Sequence, residues 1–340
     1  MSKYKIVFGK GARPDLDIER EVLKAYGCKN DYELILKSAF MDEKGFFEAA
    51  KDADAVCAFI PFGADVLDKL PKCQVVAVPA LGTDYIFSEP ATERGICMTN
   101  LPVSYCIEEV AAHTCALILN CSRRITMMDR GLKAGVRDWT ERWAERGELH
   151  RLKGRTYGLA SFGNIARRAA EMMKGFGLEI MAYDPFLPDS IFEKAGAKRA
   201  DSLEELFASC DIISVHTPYM PQTYHMIGKK QFDAIQGKLI LIVAGRGGVV
   251  DEDALKAAIQ EGKISEAGLD VLEDETAFES VLFGVPEVII TPHTAYYSVE
   301  SEQDIHKINL LDILDVLEEK KLPKNLVNRD VAGKARFQRA

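Results

Sequence analysis

The sequence predicts an α/β protein built as two doubly wound, Rossmann-like parallel-sheet domains. Three observations carry that expectation. Short β-branched runs alternate with helix-period segments along nearly the whole chain, as parallel α/β architecture requires. The alternation falls into two series, separated by a stretch from about 106 to 155 with no strand pattern. The length of 340 residues also exceeds the roughly 250–300 at which one core stops growing.

In the first series the strand candidates are Tyr4–Phe8, Tyr32–Leu36, Ala55–Ile60, Gln74–Pro79 and Gly95–Thr99, most of them separated by helical stretches. The intervening stretch starts with an apolar helix, Val110–Asn120, and then turns amphipathic and charged. It reads as a connecting helix plus an arm. Trp139 and Trp143 fall four apart there, hence on one helix face, where packing is the expected role. The second series has strand candidates Thr156–Ala160, Glu179–Asp184, Ile212–His216, Leu239–Ala244, Ala267–Val271 and Val288–Thr291. Six strands with helices between them match a dinucleotide-binding sheet. An amphipathic helix over Val299–Lys320 closes the pattern, and the polar, basic Val331–Ala340 reads as a loose tail.

Composition excludes several function classes. With 43 Lys and Arg against 52 Asp and Glu, the formal charge is −9. No basic run forms a patch, which argues against nucleic acid and anionic membrane surfaces as partners. No apolar run approaches the roughly 18 residues of a membrane span. The opening MSKYKIVFGKGAR has no apolar core of a signal peptide, so none is expected. Eight cysteines, at 28, 57, 73, 97, 106, 115, 121 and 210, form no C-x-x-C pair. They read as buried free thiols in a reducing cytoplasm. Cys106 sits where a helix start could lower a thiol pKa, but a structural thiol is the expectation. His216 and His225 lack metal-ligand spacing, so no metal is expected.

Chemistry concentrates in the second series. Ser161-Phe-Gly163-Asn-Ile-Ala166 comes directly after a predicted strand and opens a helix. It is a G-x-G-x-x-G pattern with Ser for the first glycine and Ala for the third. Gly163 occupies the position where backbone approaches a pyrophosphate, over the N–H groups of a helix start. Asp184 ends the next strand, 18 residues after Ala166. A carboxylate there accepts hydrogen bonds from a ribose 2′-OH and repels a 2′-phosphate, which favours NAD over NADP.

Arg246, Glu275 and His293 each lie just past the C-terminal end of a predicted parallel strand, the edge where open α/β sheets bind ligands. A guanidinium clamps a carboxylate through two parallel hydrogen bonds. A histidine carries a proton near neutral pH. A glutamate bonded to it fixes the ring and stabilises imidazolium. Taken singly, these are a surface charge, an acidic loop and a Pro-His turn. Together, beside a nucleotide motif, they point to catalysis.

At these residues the sequence resembles the D-isomer-specific 2-hydroxyacid dehydrogenases, over nearly the whole chain. Ala91–Ile96, Glu108–His113, His216-Thr-Pro218, Gly245-Arg-Gly-Gly248, Gly268-Leu-Asp270 and Pro292-His293 carry the likeness. It implies a flavodoxin-like substrate domain, residues 1–101 and 294–340. The NAD-binding domain is then 102–293, with a dimerisation arm at 121–155 and a homodimer as the working form. It implies a D-2-hydroxy acid interconverted with a 2-keto acid by hydride transfer, with Arg246, Glu275 and His293 catalytic. It implies NAD contacts from Phe162, Gly163, Asn164, Ile165, Asp184, Thr217, Ala244, Gly245, Arg246, Asp270 and His293. Substrate contacts are implied for Leu81, Gly82, Arg246 and His293.

The sequence departs from the family pattern at Ser161, in the loop Val78–Asp84, and at Val243-Ala244. Ser161 motivates a decayed or non-redox use of the fold. The loop, with Tyr296-Tyr-Ser298, motivates a further reading: an NAD(H)-dependent dimeric binding or corepressor-like protein without significant turnover. None of the departures touches the three catalytic positions, which favours the enzyme.

Overall fold

The computed structural model describes residues 3–9, 15–39, 41–82, 87–138, 140, 148–275, 277 and 279–338. Trp139 and Trp143, and the Thr83-Asp84 end of the 78–84 loop, lie outside them. The chain divides into two compact units, Met1–Tyr105 with Ser298–Ala340, and Cys106–Tyr297.

The first unit holds β1 (Lys3–Gly9), β2 (Asp31–Lys37), β3 (Ala55–Cys57), β4 (Val75–Ala77) and β5 (Cys97–Thr99), all parallel. Their spatial order is β2-β1-β3-β4-β5, the flavodoxin-like order. The inner strands β3 and β4 and the short edge strand β5 are buried throughout, because helices cover both faces. Edge strand β2 instead exposes Asp31, Glu33 and Lys37, charges that blunt an open edge. Helices α1 (Asp17–Tyr26), α2 (Glu43–Ala50), α3 (Ala64–Leu67) and α4 (Ser88–Glu93) connect the strands.

The second unit opens with α5 (Ile107–Arg123) and α6 (Ile125–Lys133). Its strands are β6 (Thr156–Ala160), β7 (Glu179–Tyr183), β8 (Lys198–Arg199), β9 (Ile212–Val215), β10 (Leu239–Val243), β11 (Ile264–Leu269) and β12 (Val288–Ile290). The intervening helices are α7 (Asn164–Lys174), α8 (Asp189–Ala195), α9 (Leu203–Ser209), α10 (Lys229–Asp233) and α11 (Glu252–Gln260). The sheet runs β12-β11-β10-β9-β6-β7-β8, all parallel, and the strand order reverses between β6 and β9. Helix α12 (Val299–Leu317) belongs to the first unit, where Leu310, Ile313, Leu314 and Leu317 pack on the β1–β5 sheet.

The two-sheet α/β expectation holds, with local corrections. Predicted strands Ala55–Ile60 and Gln74–Pro79 pair over only three residues each, since apolar loops continue both runs. Strand β8 carries the charged pair Lys198-Arg199 and has no apolar pattern to announce it. The C-terminal residues are not loose as far as 338: Val331, Ala335 and Phe337 are buried. The Arg336 guanidinium donates to the carbonyls of Arg94, Pro71 and Cys73, each at 2.8 Å.

Candidate active site

Register explains why distant residues meet. Tyr183, Ala160, Val215, Val243, Leu269 and Ile290 lie in one row across the second sheet. Each strand therefore releases its next residues at the same edge. The ladder continues one step further: His216 N–H donates to Ala160 O, Ala244 N–H to Val215 O, Asp270 N–H to Val243 O and Thr291 N–H to Leu269 O. Thus Ser161, Thr217, Ala244–Arg246, Asp270 and His293 emerge side by side.

At the switch point between β6 and β9, Gly163 starts α7 with no heavy atom within 4 Å of where a Cβ would stand. Asp184 accepts from Phe162 N–H at 2.9 Å and from Phe186 N–H at 3.0 Å, which fixes the carboxylate beside the turn. Phe162 itself is buried and stacks on Phe192, while Ile165 packs with Val110, Ala244 and Ala295. Asn164 accepts from the Arg167 guanidinium at 2.5 Å.

Ser161 stands at φ +72°, the left-handed conformation that glycine adopts without strain. Its Oγ lies 2.9 Å from Thr217 Oγ1, so the hydroxyl ties the turn after β6 to the turn after β9. The strain and this bond are each worth about 1 kcal/mol and oppose one another. Ser161→Gly should therefore leave stability close to that of the parent. Ser161→Ala keeps the strain and loses the bond, and should be about 1 kcal/mol less stable than the glycine variant. Paired urea titrations with unchanged slope check the order.

Next to Thr217, His216 is half-buried, its ring bonded through Ser214 Oγ (2.8 Å) to the Tyr157 hydroxyl (2.6 Å). Burial pushes its pKa down to about 4, so it remains a neutral part of the frame near pH 7. Cys106 behaves as a structural thiol: burial pushes its pKa up to about 12. All eight cysteines carry free thiols.

The three acid–base and clamp candidates occupy adjacent loops. His293 Nδ1 lies 2.8 Å from Glu275 Oε2. A carboxylate accepts, so Nδ1 carries hydrogen and Nε2 is left as the atom that can exchange a proton. Both side chains keep partial exposure, 37% for His293 and 28% for Glu275, so solvent and ligand can reach them. Arg246 comes after β10 in an extended conformation, and its guanidinium donates to Gly245 O at 3.0 Å. Gly245 and Gly247 set this loop between its neighbours. Gly245 Cα faces the His216-Thr217 backbone, and Gly247 abuts the Leu272-Glu273 peptide.

Asp270 shows a role that the motif reading did not contain. It is buried, and its Oδ1 accepts from Thr291 Oγ1 (2.6 Å) and Thr294 N–H (3.0 Å). Its Oδ2 accepts from Ala295 N–H (2.9 Å), and its backbone carbonyl from His293 N–H (2.7 Å). His113, on α5, approaches from the other side, with Nε2 2.9 Å from Thr291 Oγ1 and 3.5 Å from Asp270 Oδ1. This network holds His293 at φ +52°. The Gly268-Leu-Asp270 and Glu108–His113 motifs marked the members, but spacing gives no hint of their joint work. Leu81 and Gly82 lie in the first unit, past β4, where the Asn100 amide donates to Leu81 O at 3.0 Å.

The residues at the switch point fit a dinucleotide. The open space over Gly163, the helix start without a side-chain cap, and the Asp184 carboxylate stand where pyrophosphate and ribose need them. Among the described residues, no group of three His, Cys, Asp or Glu is placed to hold a metal ion. No helix among them is long and apolar enough to cross a membrane.

Known proteins share this sequence pattern and this fold. Residues 115–295 match the family model described as D-isomer specific 2-hydroxyacid dehydrogenase, NAD binding domain. The chain is 34% identical over 290 residues to a glyoxylate reductase of Thermococcus litoralis, covering 84% of this chain and 86% of that protein. It is also 34% identical over 290 residues to a D-3-phosphoglycerate dehydrogenase of Methanocaldococcus jannaschii, covering 85% of this chain but only 54% of that longer protein. The solved D-lactate dehydrogenase of Aquifex aeolicus, complexed with NAD and lactic acid, superposes with a TM-score of 0.77 at 28% identity. That match covers 95% of this chain and 99% of the other.

Proposed function

We propose how the work is divided among the residues of a chain that belongs to the D-isomer-specific 2-hydroxyacid dehydrogenases, NAD-dependent oxidoreductases that interconvert 2-keto and D-2-hydroxy acids. The observation that carries the reading is the 2.8 Å bond between His293 Nδ1 and Glu275 Oε2. NAD, when bound in its reduced form, supplies the hydride for the keto carbon. The protein's own share is charge and proton placement. Arg246 grips the carboxylate of the 2-keto acid and polarises the carbonyl, so the negative charge developing on oxygen meets a fixed cation. His293, charged, gives its Nε2 proton to that oxygen. Glu275 holds the ring through Nδ1 and balances the imidazolium. In the oxidative direction neutral His293 takes the hydroxyl proton at the same atom. Cofactor binding falls to the unit Cys106–Tyr297, through Phe162–Ile165, Asp184, Thr217 and the Ala244–Arg246 loop; Asp270 acts there by holding the His293 loop.

The reading includes a cytoplasmic homodimer joined through the second unit and the 121–155 segment. Its support is the family resemblance together with α6, which buries none of its residues and exposes Ile125 and Leu132. Sedimentation at several protein concentrations measures the assembly.

The test is NADH oxidation, followed by absorbance, against a panel of 2-keto acids from glyoxylate and pyruvate to branched, aromatic and phosphorylated members, with NADPH in parallel. Turnover with at least one acid is expected, with NADH preferred because Asp184 repels a 2′-phosphate. Silence across the panel while NADH binds would sink the assignment.

A further inference from the structure

One cluster outside the acid–base set bridges the two loops that carry it. The segment 225–227 runs beside 248–251: His225 N–H donates to Gly248 O (2.9 Å), Ile227 N–H to Val249 O (3.0 Å), and Asp251 N–H to Ile227 O (2.9 Å). The backbone of His225 is thus fastened two residues beyond Arg246. Its side chain reaches the other loop. Nε2 lies 2.7 Å from Glu273 Oε1, two residues before Glu275, and the Tyr224 hydroxyl donates to the same oxygen at 3.0 Å. The imidazole stacks on Tyr224 with centroids 3.9 Å apart, and Nδ1 is 3.8 Å from Asp251 Oδ2. Glu273 N–H in turn donates to Glu252 Oε1 at 2.8 Å. The titratable groups around the ring are therefore Glu273, Asp251 and Tyr224, with Glu252 behind Glu273 and Tyr219 edge-on to Tyr224 at 6.3 Å.

We propose that His225 is a positioning residue that locks the loop bearing Glu275 to the loop bearing Arg246, through its bond to Glu273. The inference rests on the assignment of Arg246, Glu275 and His293 above. Two features set it apart from an ordinary surface ion pair. Both side chains are about a third exposed (31% each), where such a pair adds little to stability. Yet His225 sits at φ +48°, a strained backbone conformation kept only where the surroundings impose it. Strain beside a catalytic loop, held for a weak pair, points to placement as the gain.

The decisive variant is His225→Asn. Asparagine tolerates the left-handed backbone but is too short to reach Glu273. The expected result is a fall in kcat of about tenfold, a rise in KM for the 2-keto acid, an unchanged KM for NADH, and a moved pH midpoint of kcat/KM; small misplacements of reacting groups are costly. Glu273→Ala should reproduce it, Glu273→Gln should restore most of the rate by keeping an acceptor for Nε2, and the double variant should be no worse than either single one. A pH profile superimposed on the parent with only the melting temperature lowered, or losses that multiply in the double variant, would overturn the proposal. His293→Asn, run alongside, separates it from the assignment beneath it. Loss of turnover there beside a parent-like His225→Asn overturns the positioning role alone. Retained turnover in His293→Asn overturns both.

Discussion

His293→Asn should lower the turnover of 2-keto acid reduction by about 10³-fold, inside the ~10²–10⁴ range for a well-placed proton donor. Asparagine is the informative replacement because His293 holds φ +52°, which asparagine tolerates better than most residues. The Asp270 network that shapes the loop bonds to backbone and to Thr291, not to the imidazole, so it survives the change. NADH affinity, read by fluorescence titration, should stay within a few-fold. Glu275→Gln should fall between parent and His293→Asn: the bond to Nδ1 at 2.8 Å remains possible, but the charge facing the imidazolium is gone. Turnover of His293→Asn within tenfold of the parent would show that another group delivers the proton.

The sequence showed these positions because parallel strands leave a plain trace. Strands β9 and β10 lie inside the sheet and are covered on both faces, so Leu239–Val243 reads as an unbroken apolar run and Ile212–Val215 as one broken only by Ser214, and the residues just past each run must sit at the ligand edge. Hence Arg246, His293 and Asp184 could be named from spacing. Whatever depends on two loops touching could not be named. Asp270 reads as part of Gly268-Leu-Asp270, but its four partners in the 291–295 loop depend on the register of β11 with β12. His225 and Glu273 are 48 residues apart and bear no pattern that joins them. Arg336 looked like tail charge. Its capture of four backbone carbonyls, those of Arg94, Leu70, Pro71 and Cys73, is a tertiary event with no local signal. The edge strand β8 escaped for the opposite reason, since two charged residues on a short edge carry no periodicity at all.

Gly247→Ala should be the most damaging substitution of a single methyl in this unit. A Cβ at 247 would stand 1.9 Å from Leu272 O and 2.0 Å from Leu272 C, where real Cβ contacts are not found below 3.0 Å. Those are backbone atoms, so no rotamer relieves the clash, and the loops bearing Arg246 and Glu275 must part by about 1 Å. Displacement on that scale costs about 10²-fold in rate when it separates groups that act together. The same overpacking should destabilise the unit by about 1–3 kcal/mol, lowering Tm by roughly 2–4 °C for each kcal/mol. Gly163→Ala gives the contrast that makes the result interpretable. Nothing lies within 4 Å of its missing Cβ and its φ of −68° suits alanine, so the fold should be indifferent. On the cofactor role proposed for Gly163, the methyl would instead enter the space assigned to the pyrophosphate, and NADH affinity should fall at least about tenfold at unchanged Tm, since close backbone approach there needs glycine. Two methyl groups thus probe two different reasons for a glycine, contact between catalytic loops and contact with the cofactor. If Gly247→Ala retained both Tm and rate, the packing of the Arg246 loop against Leu272-Glu273 would not be what places the clamp.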